Sequence, residues 1–147
     1  HAVRHILLLN SMIMAFGGIP LLYYGDEIGT LNDSSFQQDR NKAHDSRWAH
    51  RPKIDWDKAE LRHKPGTVEH RIFTALKKMI SVRKEIPAFA DFNNRELIQL
   101  DNPHLFVFSR FNLRRSSSSV PEIRASPVLL FCPKGKPLAI ESAKLPV

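Results

Sequence analysis

The sequence lacks several of the patterns that mark common kinds of site. Cys132 is its only cysteine, so the chain forms no internal disulfide. None of its histidines stands at a metal-site spacing from a cysteine or a second histidine. No serine lies in a nucleophile-elbow pattern, and no glycines form a phosphate-binding loop. We therefore expect neither a bound metal nor a cofactor.

The chain is basic, but it lacks the pattern of a nucleic-acid-binding protein. Its formal charge is +7, and its pI is near 9.9. Acidic residues are interleaved with the basic ones from Asp33 to Glu96, and no basic run carries aromatic residues at a spacing that would form a stacking groove. We expect no nucleic-acid partner.

A charge-free stretch from Ile6 to Gly25 is long enough to span a bilayer. Gly17, Gly18 and Pro20 interrupt it, and its second half has the composition of a strand. The stretch also lacks the basic start and cleavage site of a secretory signal. We therefore expect no membrane partner and favour a cytoplasmic location.

The same stretch predicts a helix followed by a strand. Apolar residues at helical spacing predict a largely buried helix over Ala2–Phe16, which Gly17 and Gly18 would end. Ile19–Tyr24 is a short apolar run bounded by glycines, as in a strand buried on both faces of a parallel sheet. Such sheets place their binding sites at the carboxyl ends of the strands.

Asp26 and Glu27 follow directly after this predicted strand. Adjacent residues of an extended chain point in opposite directions. The two carboxylates of a retaining glycosidase must lie about 5 to 5.5 Å apart across one sugar bond. We therefore favour the interpretation that one of the two bonds loop backbone or pairs with a basic residue at the rim over direct catalysis by this pair.

A long loop connects Gly29 to Gly66 without sustained periodicity. We expect its large aromatic residues, Phe36, Trp48 and Trp56, to bury area and hold it in place. The following segment, Thr67 to Arg83, has the apolar spacing of an amphipathic helix, and Thr67 is a suitable N-cap. Pro87 is expected to end that helix.

The loop segment Asp39–Pro52 contains a candidate binding group. Arg47 lies between Asp45 and Trp48, and a guanidinium is a rigid fork of donors that suits sugar hydroxyls and carboxylates. The alternative is a solvated charged loop, since exposed charges are the default. Trp48 is either a structural anchor or a platform for sugar stacking, and we favour the anchor.

The C-terminal third changes character twice. Glu96–Leu100 and Leu105–Arg110 are predicted strands separated by a turn, which indicates the start of a small β domain. From Leu113 to Val147 the chain has four consecutive serines and five of its ten prolines. Prolines at this spacing are incompatible with paired central strands, so we predict a poorly ordered or frame-shifted tail.

Three motifs together resemble a known family. Gly17-Gly-Ile-Pro-Leu-Leu-Tyr-Tyr-Gly-Asp-Glu-Ile-Gly29 resembles the last barrel strand of the α-amylase superfamily, glycoside hydrolase family 13. Leu31-Asn-Asp33 and Asn41-Lys-Ala-His-Asp-Ser-Arg-Trp-Ala-His-Arg-Pro52 are similar to the amylosucrase-like branch. Thr67 to Phe89 resembles the final barrel helix of that branch. The resemblance covers roughly residues 1 to 111.

The resemblance implies an α/β fold, the C-terminal portion of a (β/α)8 barrel over residues 1–90, with the start of a C-terminal β domain over 91–112. It also implies a retaining double displacement on sucrose. The catalytic carboxylates would belong to earlier barrel strands, so the fragment alone would be inactive and contains no catalytic residue.

The resemblance also implies roles for residues of this chain. Arg47 and Asp45 would bind substrate, with Arg47 paired to an upstream aspartate at the floor of the glucosyl subsite. Asp26, Glu27 and Trp48 would support the site. The expected partners are small carbohydrates, namely sucrose and a glucan acceptor.

Two alternatives remain open. A non-catalytic sugar-binding or scaffolding relative would keep the barrel without its carboxylates. A trehalose synthase or α-glucosidase would share the strand motif, but the Asp45–Trp48 motif favours the sucrose-acting branch. The resemblance stops after Asn112, where a shifted reading frame or a misjoined segment would explain the change.

Overall fold

A computed structural model describes the backbone of residues 1–99, 101, 105–114 and 122–130, and the side chains of those up to residue 111. The chain divides into two compact units. The first comprises residues 1–21 with residues 77–147, and the second comprises residues 22–76. The predicted boundary at residue 90 falls inside the first unit, and the assignment of residues 1–90 to a barrel stays a prediction.

The first unit begins with helix α1, Ala2–Phe16, which confirms the predicted helix. Gly17 follows it with a φ of 142°, and a Cβ there would lie 2.8 Å from Arg95 Nη1. The expected extensive burial is wrong, because only Ser11 and Met14 of α1 are buried. One side of the helix packs on the small core of this unit, and the other side is exposed.

The predicted buried strand over Ile19–Tyr24 is also wrong for this structure. The segment contains no strand, and Ile19 and Leu21 are 82% and 76% exposed. A strand buried on both faces needs neighbouring strands along its edges and helices over its faces. The described residues supply neither to this segment, so it remains extended and open.

Three antiparallel strands form the sheet of the first unit. They are β1, Arg95–Ile98, β2, Phe106–Arg114, and β3, Glu122–Leu130, in the order β1-β2-β3. The two predicted strands are confirmed with shifted bounds. Leu100 and residues 102–104 of the predicted turn lie outside the described residues. Whether these strands begin a separate β domain stays a prediction.

Strand β3 falls within the tail for which no ordered strand was predicted. Its backbone pairs with β2 from Phe106 opposite Leu130 to Arg114 opposite Glu122. Pro127 stands opposite Ser109 in this register. Proline is tolerated in an edge strand, and β3 lies at the end of the strand order. The rest of the predicted tail, residues 115–121 and 131–147, lies outside the described residues.

The core of the first unit is small and aromatic. Phe89 and Phe108 are buried, and Phe16 meets Phe108 edge to face with ring centroids 5.3 Å apart. Met12 and Ile86 pack against the same cluster. The apolar face of the sheet is thereby joined to the last turns of α1.

A buried arginine on β2 completes this contact. The guanidinium of Arg110 is fully buried and donates to the carbonyl oxygens of Phe16 at 2.8 Å, Ala88 at 3.0 Å and Ala15 at 3.2 Å, and also to that of Asp91. The last carbonyls of a helix have no partner within the helix and attract cations. Arg110 therefore caps the C-terminal end of α1 from the sheet.

The second unit is built mainly of short helical turns. They are 3-10 helices at Asp26–Ile28, Ser35–Gln38, Ser46–His50 and Leu61–His63, with the short helix α2 at Trp56–Glu60. Trp56 is 73% exposed, so the expectation that it anchors the loop by burial is wrong. Phe36 and Trp48 are half-buried.

Helix α3, Val68–Glu85, confirms the predicted amphipathic helix. The backbone N–H of His70 donates to Thr67 Oγ1 at 3.1 Å, as expected of an N-cap. Ile72 and Leu76 form its buried stripe, and a 3-10 helix begins at Pro87 directly after it. Across the part of the chain that the structure describes, no helix is long and apolar enough to cross a membrane.

Candidate functional site

The turn that carries Asp26 and Glu27 is held by its own carboxylates. Gly25 has a φ of 91° and begins the turn. Asp26 Oδ2 accepts from the N–H of Tyr23 at 3.1 Å, and Glu27 Oε2 accepts from the N–H of Gly25 at 2.8 Å. Both side chains thus stabilise the backbone from which the following loop departs. Their support of a sugar site stays a prediction.

Asp45 and Arg47 form a two-pronged ion pair on this loop. Arg47 Nε lies 2.8 Å from Asp45 Oδ1, and Arg47 Nη2 lies 2.9 Å from Asp45 Oδ2. The backbone N–H of Arg47 also donates to Asp45 Oδ1, at 3.0 Å. Paired parallel bonds of this kind fix the plane of the guanidinium. We call this pair the Asp45–Arg47 fork.

The fork lies at the surface of the second unit. The Asp45 side chain is 17% exposed and that of Arg47 is 74% exposed. Hydrogen bonds from the side chain and backbone of Arg47 lower the pKa of Asp45 from 3.8 to about 2. The same pairing raises the pKa of Arg47. The carboxylate of Asp45 is thus paired with the guanidinium of Arg47. The Nη1 side of this guanidinium is open to solvent.

The structure therefore brings the two predicted substrate-binding residues together, with Asp45 orienting Arg47. An upstream aspartate as the partner of Arg47, and burial of the pair in a subsite, stay predictions.

Trp48 follows the fork and lines a cleft. Lys42 Nζ lies 5.1 Å from the centroid of its ring, and Arg51 Cζ lies 5.6 Å from it. The backbone N–H of Asp33 donates to the carbonyl of Ala49 at 2.9 Å, which holds the two ends of the segment together. Trp48 thus contacts the loop as an anchor would and also lines the cleft.

This cleft, which we call the Trp48 cleft, has a volume of about 480 Å³. Its lining combines apolar surface with charges of both signs. The lining residues are Asp33, Ser35, Phe36, Asp39, Lys42, Trp48, Arg51, Pro52 and Lys53. Sequence reasoning identified Phe36 and Trp48 as anchors and missed the cleft itself. The only sequence feature that indicates the cleft is the presence of Lys42 and Arg51 on either side of Trp48 along the chain.

Two histidines of the second unit have hydrogen-bond partners in the backbone or a neighbouring side chain. His70 Nδ1 lies 2.9 Å from the carbonyl oxygen of Arg62, and His50 Nδ1 lies 3.1 Å from Asn32 Oδ1. Within the described ranges, no group of three or more His, Cys, Asp or Glu side chains is placed to hold a metal ion.

No protein-family model matches the chain. The family resemblance therefore rests on the motifs themselves. Among the described groups, the Asp45–Arg47 fork offers oriented donors to a ligand from an exposed position.

Proposed function

We propose that this chain is part of a retaining α-glucosyl-transferring enzyme acting on sucrose, an amylosucrase or sucrose hydrolase of glycoside hydrolase family 13. In this proposal it forms the C-terminal portion of a (β/α)8 barrel. It contributes part of the glucose-binding subsite, and the catalytic carboxylates lie elsewhere in the full-length enzyme. The observation that carries the proposal is the exposed Arg47 guanidinium held in plane by Asp45.

An oriented guanidinium suits the recognition of a sugar. Its remaining N–H donors point in fixed directions and match hydroxyl oxygens that are themselves fixed on a ring. A sugar that lacks the matching hydroxyl would leave these donors unpaired, which is how polar sites discriminate strongly between substrates. Closure of the pocket around the fork would strengthen each of these bonds by excluding water.

The extended segment before the turn supports the barrel part of the proposal. The backbone N–H groups of Ile19, Leu21 and Leu22 have no acceptor within the described residues. Ile19, Leu21 and Tyr23 are exposed while Pro20 and Leu22 are half-buried, so the alternation of a strand holds from Ile19 to Tyr23 and ends at the exposed Tyr24. An apolar segment with open backbone groups is suited to pairing with further strands.

The test uses the full-length enzyme and sucrose. Arg47→Ala is expected to reduce kcat/KM by roughly 10²-fold, the order lost when one oriented donor to the transition state is removed. Arg40→Ala, which removes another exposed arginine of the same loop, is the matched control and should leave turnover unchanged. Wild-type turnover by the Arg47 variant would contradict the proposal.

A second measurement addresses the fragment itself. The 147-residue chain alone should release no fructose from sucrose, because it lacks the proposed carboxylates. Assaying the full-length protein for insoluble glucan distinguishes an amylosucrase from a sucrose hydrolase. Fructose release by the fragment would contradict the assignment of catalysis to other strands.

A non-catalytic sugar-binding relative is the second candidate. It is compatible with the same contacts, in which Asp26 and Glu27 bind backbone N–H groups and Asp45 binds Arg47, because a sugar-binding surface needs no free carboxylate. The coding sequence upstream of His1 separates the candidates. Absence of the three acidic barrel positions there would exclude the enzyme and leave the binding protein.

A further inference from the structure

The Trp48 cleft is distinct from the Asp45–Arg47 fork, since neither residue of the fork lines it. Its volume of about 480 Å³ lies in the range of small-molecule sites. The cleft belongs entirely to the second unit, and its shape is therefore set by one compact part of the chain.

The two carboxylates of the cleft have partners within the loop. Asp33 Oδ1 accepts from the backbone N–H of Ser35 at 2.8 Å. Asp39 Oδ1 accepts from the backbone N–H of Asn41 at 3.0 Å, and its Oδ2 lies 3.2 Å from Lys42 Nζ. These interactions lower the pKa of both carboxyl groups, and the charge of Asp39 is matched by Lys42.

Two cations of the lining have no carboxylate partner. Arg51 and Lys53 are exposed and form no ion pair within the described residues. Arg51 lies over the ring of Trp48 in a cation–π arrangement, and its backbone N–H donates to the carbonyl of Trp48 at 3.1 Å. Because Asp39 pairs with Lys42, the remaining charges of the lining are those of Arg51, Lys53 and Asp33. Their sum is positive, and an anionic group would form charge-assisted hydrogen bonds with the two cations.

Part of the cleft lining is apolar. Trp48, Phe36 and Pro52 supply this surface, and Ser35 adds a hydroxyl. Small-molecule sites commonly combine aromatic surface with a few placed polar groups. A saturated sugar ring has an apolar face and polar edges, so its chemistry corresponds to this lining.

We propose that the Trp48 cleft binds a saccharide carrying an anionic group, either a phosphate or a carboxylate, with the sugar on the apolar part of the lining and the anion bound by Arg51 and Lys53. This site goes beyond the proposed function, because it requires neither turnover of sucrose nor the Asp45–Arg47 fork. Its failure in a binding experiment would leave the test on Arg47 unaffected.

The experiment uses the full 147-residue chain and its own fluorescence. The chain has two tryptophans, so Trp56→Phe leaves Trp48 as the sole reporter at the cleft. Glucose 6-phosphate, glucuronate, glucose and inorganic phosphate are titrated separately. We expect a saturable fluorescence change with at least one of the two anionic sugars, and about tenfold weaker binding of glucose and of phosphate alone.

The comparison of glucose 6-phosphate with glucuronate identifies which anion the cleft prefers, and preference for either supports the proposal. Arg51→Gln with Lys53→Gln should weaken binding of the preferred sugar by about tenfold or more. Lys64→Gln, an exposed lysine outside the cleft, is the matched control and should have no effect. Circular dichroism of each variant verifies that the fold is retained.

Equal binding of glucose and the anionic sugars would overturn the proposal, since the cations would then play no part. Equal binding of inorganic phosphate would also overturn it, because the ring would then contribute nothing. The proposal fails equally if no probe changes the fluorescence, or if the double variant with a retained fold binds as the parent does.

Discussion

Individual charged residues have opposite roles in the two units. Arg110 is buried and satisfies backbone carbonyls, whereas Arg47 is exposed and is satisfied by a carboxylate. A buried cation is tolerated only when hydrogen bonds replace its water. An exposed one contributes little to stability and keeps its donors available for ligands. Burial therefore separates the structural arginine from the candidate binding arginine.

Replacement of Arg110 by methionine should destabilise the first unit. The variant keeps the length of the side chain but leaves the carbonyls of Ala15 and Phe16 without the donor that Arg110 supplies, whereas the carbonyl of Ala88 keeps Asn94 Nδ2. The variant no longer pays the desolvation cost of a buried cation, which offsets part of the stability lost with the hydrogen bonds. We expect a net decrease of about 2 kcal/mol in the free energy of unfolding.

Urea unfolding followed by circular dichroism measures this change. Lys84→Met, at an exposed position of α3, is the control and should leave the midpoint unchanged. An unchanged midpoint for Arg110→Met would show that the carbonyls of α1 find other partners.

The Asp45–Arg47 fork predicts an abnormal titration. The pKa of Asp45 is lowered to about 2 by hydrogen bonds from Arg47. A lowered pKa means that the pairing stabilises the fold above pH 3.8 and that this contribution is lost as pH falls through about 2. NMR titration of the Asp45 carboxyl should therefore give a midpoint near 2.

Arg47→Gln removes the charge and the forked geometry. The midpoint of Asp45 should then rise toward its ordinary value of 3.8, because both the hydrogen bonds and the attraction that favour the carboxylate are lost. Arg40→Gln on the same loop is the control. A midpoint that does not rise in the Arg47 variant would assign the shift to the backbone N–H alone.

Among the elements, helix α3 shows how local chemistry sets a boundary. Thr67 Oγ1 accepts from the N–H of His70 and also donates toward the carbonyls of Leu61 and Lys64, at 2.8 and 2.9 Å. One hydroxyl therefore caps the helix and ties it to the preceding turn. The helix start was predictable because an N-cap acts through its immediate neighbours in the chain.

Thr67→Ala should reduce the free energy of unfolding by about 1 kcal/mol, the usual contribution of an N-cap. Thr67→Ser keeps the hydroxyl and should retain most of the stability. Thr74→Ala, on the exposed side of the same helix, is the control for the effect of a threonine-to-alanine change that does not remove the N-cap. Urea midpoints of the three variants measure the difference, and equal loss in the serine variant would attribute the effect to the methyl group.

The sheet shows the opposite dependence. Its register, with Arg95 opposite Arg110 and Pro127 opposite Ser109, joins segments that are distant in sequence. The alternation of residues predicted β1 and β2, but composition indicated no ordered strand at β3. Pairing along the edge of β2 overrides that composition, because an edge strand can accommodate proline.

For the molecule as a whole, the segment Ile19–Tyr24 before the turn is suited to contacts with further strands, because its backbone groups and apolar side chains are open. Hydrogen exchange should be much faster at the amides of Leu21 and Leu22 than within α1, since the former have no acceptor within the described residues. The amide of Asp26, which donates to the carbonyl of Tyr23 at 3.1 Å, is an internal reference.

In the proposed full-length enzyme the same two amides should become protected, because neighbouring barrel strands would supply acceptors. Mass spectrometry of this chain and of the proposed full-length enzyme compares the two amides directly. Fast exchange in the longer protein would contradict the assignment of this segment to a barrel strand.

The sequence by itself determined the features that depend on neighbours along the chain. Helix α1 follows from apolar spacing, the start of α3 from Thr67, and the turn after Gly25 from a residue that tolerates a positive φ. The proximity of Asp45 and Arg47 also follows from their separation by one residue. Each of these interactions forms within a few residues, so composition and spacing are sufficient to predict it.

Only the tertiary structure decided what is buried and what faces solvent. The apolar composition of Ile19–Tyr24 predicted burial, yet burial needs partner strands and helices that the described residues do not provide. Arg110 is a charged residue that a sequence would place at the surface, and four distant carbonyls make its burial possible. The Trp48 cleft likewise requires residues from successive turns to meet, because long-range packing depends on all the surfaces that come together.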